Sequence, residues 1–237
     1  MLVAAAVCPC PPLLVPEVAT GAAHELDAAR AACADAVGLL AAARPDRLYV
    51  VGAAPEGGHG VYPAGSAGSF AGFGVDVSVR LGDGPDADAA RSLPASLAVG
   101  AWLLDRARWA DAPIEGLAVE ETATPDVCAG LGRGLADSAG RVALLVMGDG
   151  SACRTVKAPG YLDERAEGFD TAAGRALGTA DTAALLAMDT ELAYELKVAG
   201  RAPWQVLAGA AEGAGLDGRL LFEDAPYGVG YFVAAWS

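Results

Sequence analysis

Basic residues are scarce in this chain: 16 Lys and Arg stand against 30 Asp and Glu, a formal net charge of -14. That balance repels phosphate backbones and anionic lipid, so nucleic acid and membrane surfaces are not expected as partners, whereas a small molecule or a protein is. A membrane helix is missing too, because no segment reaches the roughly 18 to 20 uninterrupted apolar residues it needs. The 54% hydrophobic content is largely alanine spread through charged sequence, which predicts a soluble protein. Cysteine shows no disulfide framework. Cys8, Cys10, Cys33, Cys128 and Cys153 are odd in number and irregular in spacing, which suits a reducing compartment, the cytoplasm by default. The opening MLVAAAVCPCPP lacks the basic start of a secretory signal, and its apolar run is short, so it reads as a first strand.

What is present is an alternation of strand and helix patterns along all 237 residues. It predicts one α/β domain, 1–237, with a largely parallel central sheet flanked by helices and a C-terminal hairpin. Leu2 to Val7 is a strand ended by Cys8-Pro9-Cys10-Pro11-Pro12. Thr20 is a plausible N-cap for a helix that keeps Leu26, Ala29, Cys33, Val37 and Leu40 on one face until Pro45 stops it. His24 falls in its first turn, where an exposed or capping histidine is commoner than a ligand. Arg47 to Gly52 is a strand feeding a glycine-rich loop that carries His59. Val75 to Val79 reads as a short strand, the GDGPDADA that follows as a turn with solvated acids, and Arg91 to Trp109 as a helix. Glu115 to Val119 is strand-like, and Thr124-Pro125 opens a helix to Ser138. Gly130, Gly132 and Gly134 lie inside that helix, whereas a dinucleotide fingerprint needs a strand immediately before it. Helices are expected over 163–177, 181–188 and 189–199 and from Ala202-Pro203 onward; the chain closes on strands over 219–222 and 229–235.

The chemistry is expected in VALLVMGDGSACRTVKAPGY, residues 142–161. Its six leading apolar residues show no polar alternation, as in a parallel strand covered on both faces. Gly148 and Gly150 then offer unusual backbone conformations, which would hold Asp149, Ser151, Cys153 and Arg154 at the carboxyl edge of the sheet, where open α/β folds bind ligands. Asp149, Ser151 and Cys153 are the candidate catalytic residues. Arg154 and Lys157, with Lys197 and Arg201, are rare cations that would suit a ligand carboxylate or phosphate, although pairing with Asp163, Glu164 or Glu167 serves as well. Tyr227 either lines the pocket or packs the hairpin. Ser151 lacks the flanking glycines of a nucleophile elbow and is expected to bond to its own loop.

CPCPPLLVPE at the start, the strand and glycine-rich loop over 52–60, MGDGSACRTVKAPGYLDERAEGFD in the middle and DAPYGVGYFVA at the end together resemble the class III extradiol ring-cleavage dioxygenases, of the type of the catalytic beta subunit of protocatechuate 4,5-dioxygenase. The resemblance implies a non-haem Fe(II) held by two histidines and a carboxylate, with a further histidine for acid/base work and a catecholic substrate. It also implies a homo-oligomer or an accessory subunit. Cys10 stands where the family has its first histidine, and His59 matches the second. Trp204 or Gln205 takes the place of the carboxylate, with Glu212 two turns too far along, and Ala152-Cys153 stands where the acid/base histidine belongs.

Three readings follow. In the first, Fe(II) is bound by Cys10 and His59 with Asp149 or Glu223 as the carboxylate. In the second, a metal-free pseudoenzyme binds a small aromatic molecule or a partner subunit. In the third, Cys8, Cys10, Cys153 and His59 form a thiolate site for zinc or copper.

Overall fold

The computed structural model describes residues 1–85 and 91–237. The second half of the expected acidic turn, from residue 86, lies outside the described residues. The parallel strands are β1 (Leu2–Cys8), β2 (Arg47–Ala54), β6 (Ile114–Glu120) and β7 (Val142–Met147). Antiparallel β3 (Gly60–Tyr62) joins one edge, and the hairpin β8 (Gly218–Asp224) and β9 (Tyr231–Trp236) completes the other. The seven-stranded order is β3-β6-β2-β7-β1-β9-β8. β4 (Ala67–Ser69) and β5 (Ser78–Arg80) pair apart from it.

Every residue of β7 is buried, which explains its unbroken apolar sequence: it lies between β1 and β2, with a helical layer on each face. On one face pack α2 (Asp27–Ala42) and α3 (Ala95–Arg106), through Cys33, Val37, Leu97 and Trp102. On the other lie α4 (Pro125–Asp137), α5 (Ala166–Gly178) and α8 (Arg201–Ala210), through Cys128, Leu177 and Trp204. Side chains alternate along β1, so Ala4, Ala6 and Cys8 join the first core and Ala5 and Val7 the second. Short helices α1 (Pro16–Ala19), α6 (Thr182–Leu186) and α7 (Thr190–Glu195) fill the connections.

Side-chain caps open three of the α-helices, α4, α6 and α7. Thr124 Oγ1 accepts from Val127 N, Asp181 from Ala184 N, and Asp189 from Glu191 N and Leu192 N. Thr20 is a correction: its φ of 46° is left-handed, no side-chain cap forms, and residues Thr20–Leu26 wind as a 3-10 segment before α2. The helix expected from Arg91 starts only after Pro94. The α4 glycines serve packing. A Cβ on Gly132 would stand 2.0 Å from Val206 O, so its bare backbone lets α4 lie directly on α8 and leaves no room for a phosphate there. Among the described residues no helix is long and apolar enough to cross a membrane.

Candidate functional site

The carboxyl ends of β1 and β7 are adjacent, and the turns leaving them meet side chain to backbone. Cys10 N donates to Asp149 Oδ1 at 2.8 Å, and the Cys10 thiol points at Asp149 Oδ2 at 3.9 Å. Gly148 N is tied to Cys8 O and Gly200 N to Asp149 O, so the Asp149 backbone is held from both sides of the sheet. The residue is half-buried, and among the described residues its carboxyl receives these two contacts alone. A carboxylate has about four acceptor positions. Burial therefore dominates and pushes Asp149 up to about 7, against the opposing pull of the Cys10 bonds. Cys10 moves the same way: burial first, then the neighbouring Asp149, raise its thiol well above the ordinary value, so it is protonated at neutral pH.

Tyr231 completes the group. It opens β9, which runs antiparallel to β1, so its side chain reaches the same edge from the adjacent strand. The residue is 2% exposed, and burial followed by the charge of Asp149 raises its hydroxyl strongly. Among the described residues no group hydrogen-bonds that hydroxyl. Tyr231 packs in the same core as Cys10, and the charge of Asp149 reaches its hydroxyl. Tyr227, on the hairpin turn, donates instead to Glu25 Oε2 at 2.9 Å.

The remaining sequence candidates lie elsewhere. Ser151 is fully buried: its N–H donates to Asp170 Oδ1 at 2.8 Å and its hydroxyl to Asp170 Oδ2 at 2.7 Å. The expected bond to its own loop is thereby corrected, because a carboxylate is the stronger acceptor. Arg154 also turns to Asp170, at 3.2 Å, and reaches Glu167 at 3.7 Å. Cys153 packs into the second core and donates to Leu196 O at 3.5 Å. Lys157 is exposed on the loop. Gly148 and Gly150 are absent from the left-handed backbone region; at Gly150 the need is space, since a Cβ would lie 2.7 Å from the Phe232 ring and 2.8 Å from Asp170 Oδ1.

The residues do not fit a facial Fe(II) triad. His59 is 57% exposed and its Nδ1 pairs with Glu120 at 2.7 Å. Trp204 and Gln205 are fully buried in α8, with Gln205 bonded to Arg201 and Leu185 O, and Glu212 is on the surface with Arg133. Glu223 sits on edge strand β8 against Gly174 of α5. The thiolate set is likewise dispersed: Cys8 and Cys10 belong to the first core, Cys153 to the second. Among the described residues no group of three or more His, Cys, Asp or Glu is arranged to hold a metal ion.

Tyr231 and Asp170 were not foreseen. Tyr231 gave no signal beyond a strand aromatic. Asp170 did give one, since it falls on the buried stripe of Ala166, Ala173 and Leu177 at helical spacing.

No protein-family model matches the chain, and no curated protein does. Among solved structures, the crystal structure of uncharacterized protein JW3007 from Escherichia coli K12 is similar, with a TM-score of 0.53 over 99% of both chains at 13% sequence identity. That likeness is one of fold along the whole chain.

Proposed function

We propose that the chain has the architecture of a class III extradiol dioxygenase and uses it without metal, binding a small hydroxylated aromatic molecule at the β1-β7 edge. The observation that carries this reading is the pair formed by Asp149, protonatable near neutral pH, and the unpartnered hydroxyl of buried Tyr231. A ligand hydroxyl between them would find one group that accepts or donates and another that donates, while Cys10 supplies a soft wall. The aromatic character of the ligand rests on the sequence resemblance. Ring opening by iron and oxygen, and a thiolate zinc or copper site, stand as rival readings built on Cys10 and His59. Five unbridged cysteines suit a reducing compartment, and we place the protein in the cytoplasm.

The test combines metal analysis with binding. Protein purified anaerobically without a metal-binding tag is expected to hold no stoichiometric iron, zinc or copper. It is expected to bind catechol saturably, with at least tenfold weaker binding in Tyr231→Phe and Asp149→Ala. Stoichiometric iron lost in both His59→Ala and Cys10→Ala would replace this reading with the oxygenase. Zinc or copper would replace it with the thiolate site, and catechol binding indifferent to both Tyr231→Phe and Asp149→Ala would end it.

A further inference from the structure

A pocket of 440 Å³ opens where β6 ends and α7 meets α8; its walls include Glu121, Tyr194, Glu195, Lys197, Val198 and Arg201. It is on the α8 side of the sheet, separated from Asp149 by the Gly148–Gly200 contact. Its floor is unusual. Arg201 is 3% exposed, yet every acceptor it meets is neutral: the carbonyls of Ala123 and Glu121 and the Gln205 amide oxygen at 2.9 Å. No carboxylate lies within 4.0 Å of it among the described residues. A buried guanidinium without a counter-charge is costly, and its natural complement is an anion.

The donor count says where that anion goes. A guanidinium has five N–H donors, and the three bonds above leave one on Nη2 and the one on Nε. Among the described residues Nε has no hydrogen-bond partner, and Arg201 lines the pocket. The Nε and Nη2 donors lie along one edge, the fork that matches a carboxylate. Lys197 adds a second cation at the rim. It follows Leu196, the C-cap of α7, at φ 56°, where its N–H and that of Val198 close the helix on Tyr194 O and Ala193 O. Glycine fits that conformation best, so lysine there retains its charge at some expense in backbone strain. Of the two acids in the walls, Glu195 is already held by Arg165 at 2.8 Å, leaving Glu121 as the opposing charge. Ala193, Val198 and the exposed Tyr194 ring supply apolar walls.

We propose that this pocket binds the carboxylate of a small organic acid, with Arg201 as the fork, Lys197 as the second cation and the Tyr194 ring against the acid's apolar part. This stands independently of the reading of Asp149.

Benzoate, acetate and inorganic phosphate serve as probes in calorimetric titrations at low ionic strength. Benzoate is expected to bind saturably at one site and more tightly than acetate or phosphate. Lys197→Gly is the informative variant because it removes the charge while relaxing the backbone. It is expected to weaken benzoate at least tenfold with Tm unchanged or raised, and Arg201→Lys, which keeps the charge but loses the fork, should weaken it similarly. Equal benzoate affinity in wild type and Lys197→Gly would overturn the proposal, as would phosphate binding in preference to benzoate or no saturable binding at all. A lower Tm in Lys197→Gly with benzoate binding intact would assign the lysine to structure and likewise overturn it.

Discussion

Two carboxylates flank the turn after β7, and they have opposite surroundings. Asp170 is fully buried and accepts the Ser151 N–H, the Ser151 hydroxyl and the Arg154 guanidinium. Asp149 is partly exposed and accepts one backbone N–H and one thiol. Burial raises both, but at Asp170 three hydrogen bonds and a cation oppose it, whereas at Asp149 only Cys10 does. The first arrangement fixes a loop. The second leaves a group able to exchange a proton at the edge of the sheet. Depth alone therefore does not mark a reactive carboxyl; the shortage of partners does.

Removing the carboxylate of the satisfied member should do the most damage. Asp170→Ala strands a buried serine and the inner face of Arg154, and is expected to lower stability by about 3–5 kcal/mol in urea melts. A loss under about 1 kcal/mol would mean the network contributes little beyond what water supplies. Next comes overpacking of the same nest. Gly150→Ala forces a methyl onto the Phe232 ring and Asp170, with an expected loss of about 1–3 kcal/mol.

Asp149 should show itself through pH. Its folded value of about 7 lies above the ordinary 3.8 of an aspartate, so the native state holds a proton that the unfolded chain has released across that window. Its contribution is fully present below pH 4 and is lost as pH rises through 7, with a limiting slope of about 1.4 kcal/mol per pH unit. Asp149→Asn should flatten this part of the stability profile more than Asp170→Asn does, because more bonds oppose the upward push of burial at Asp170. A profile identical to wild type in Asp149→Asn would remove the distinction between the two carboxylates. The smallest effect is expected at the exposed His59–Glu120 pair, where His59→Ala should stay within about 0.5 kcal/mol. A larger change would show that His59 does more than its surface pairing suggests.

The sequence placed Asp149 at the sheet edge because an apolar run ending in Gly-Asp-Gly can only be a buried strand leaving the sheet. It placed Ser151 and Cys153 there for the same reason, and could not show that the chain turns back toward α5 and buries both. Neither the Cys10–Asp149 contact, which spans 139 positions, nor the arrival of Tyr231 from an adjacent antiparallel strand leaves a local trace. The Fe(II) set was argued from position in the chain, and His59 shows the limit of that method, since its loop turns the ring to Glu120.

By itself the sequence determined the α/β class, the two-sided burial of β7, the parallel strands and the closing hairpin, together with the cap at Thr124. These follow from periodicity, proline and side-chain hydrogen bonding within a few residues, which act locally. Only the tertiary structure decided which carboxyl is well bonded and which is not, that Arg201 is buried with no carboxylate within 4.0 Å among the described residues, and that the two cores take Cys10 and Cys153 to opposite faces. Those outcomes depend on solvent exclusion and on partners brought together by strand order, and both exist only once the sheet has formed.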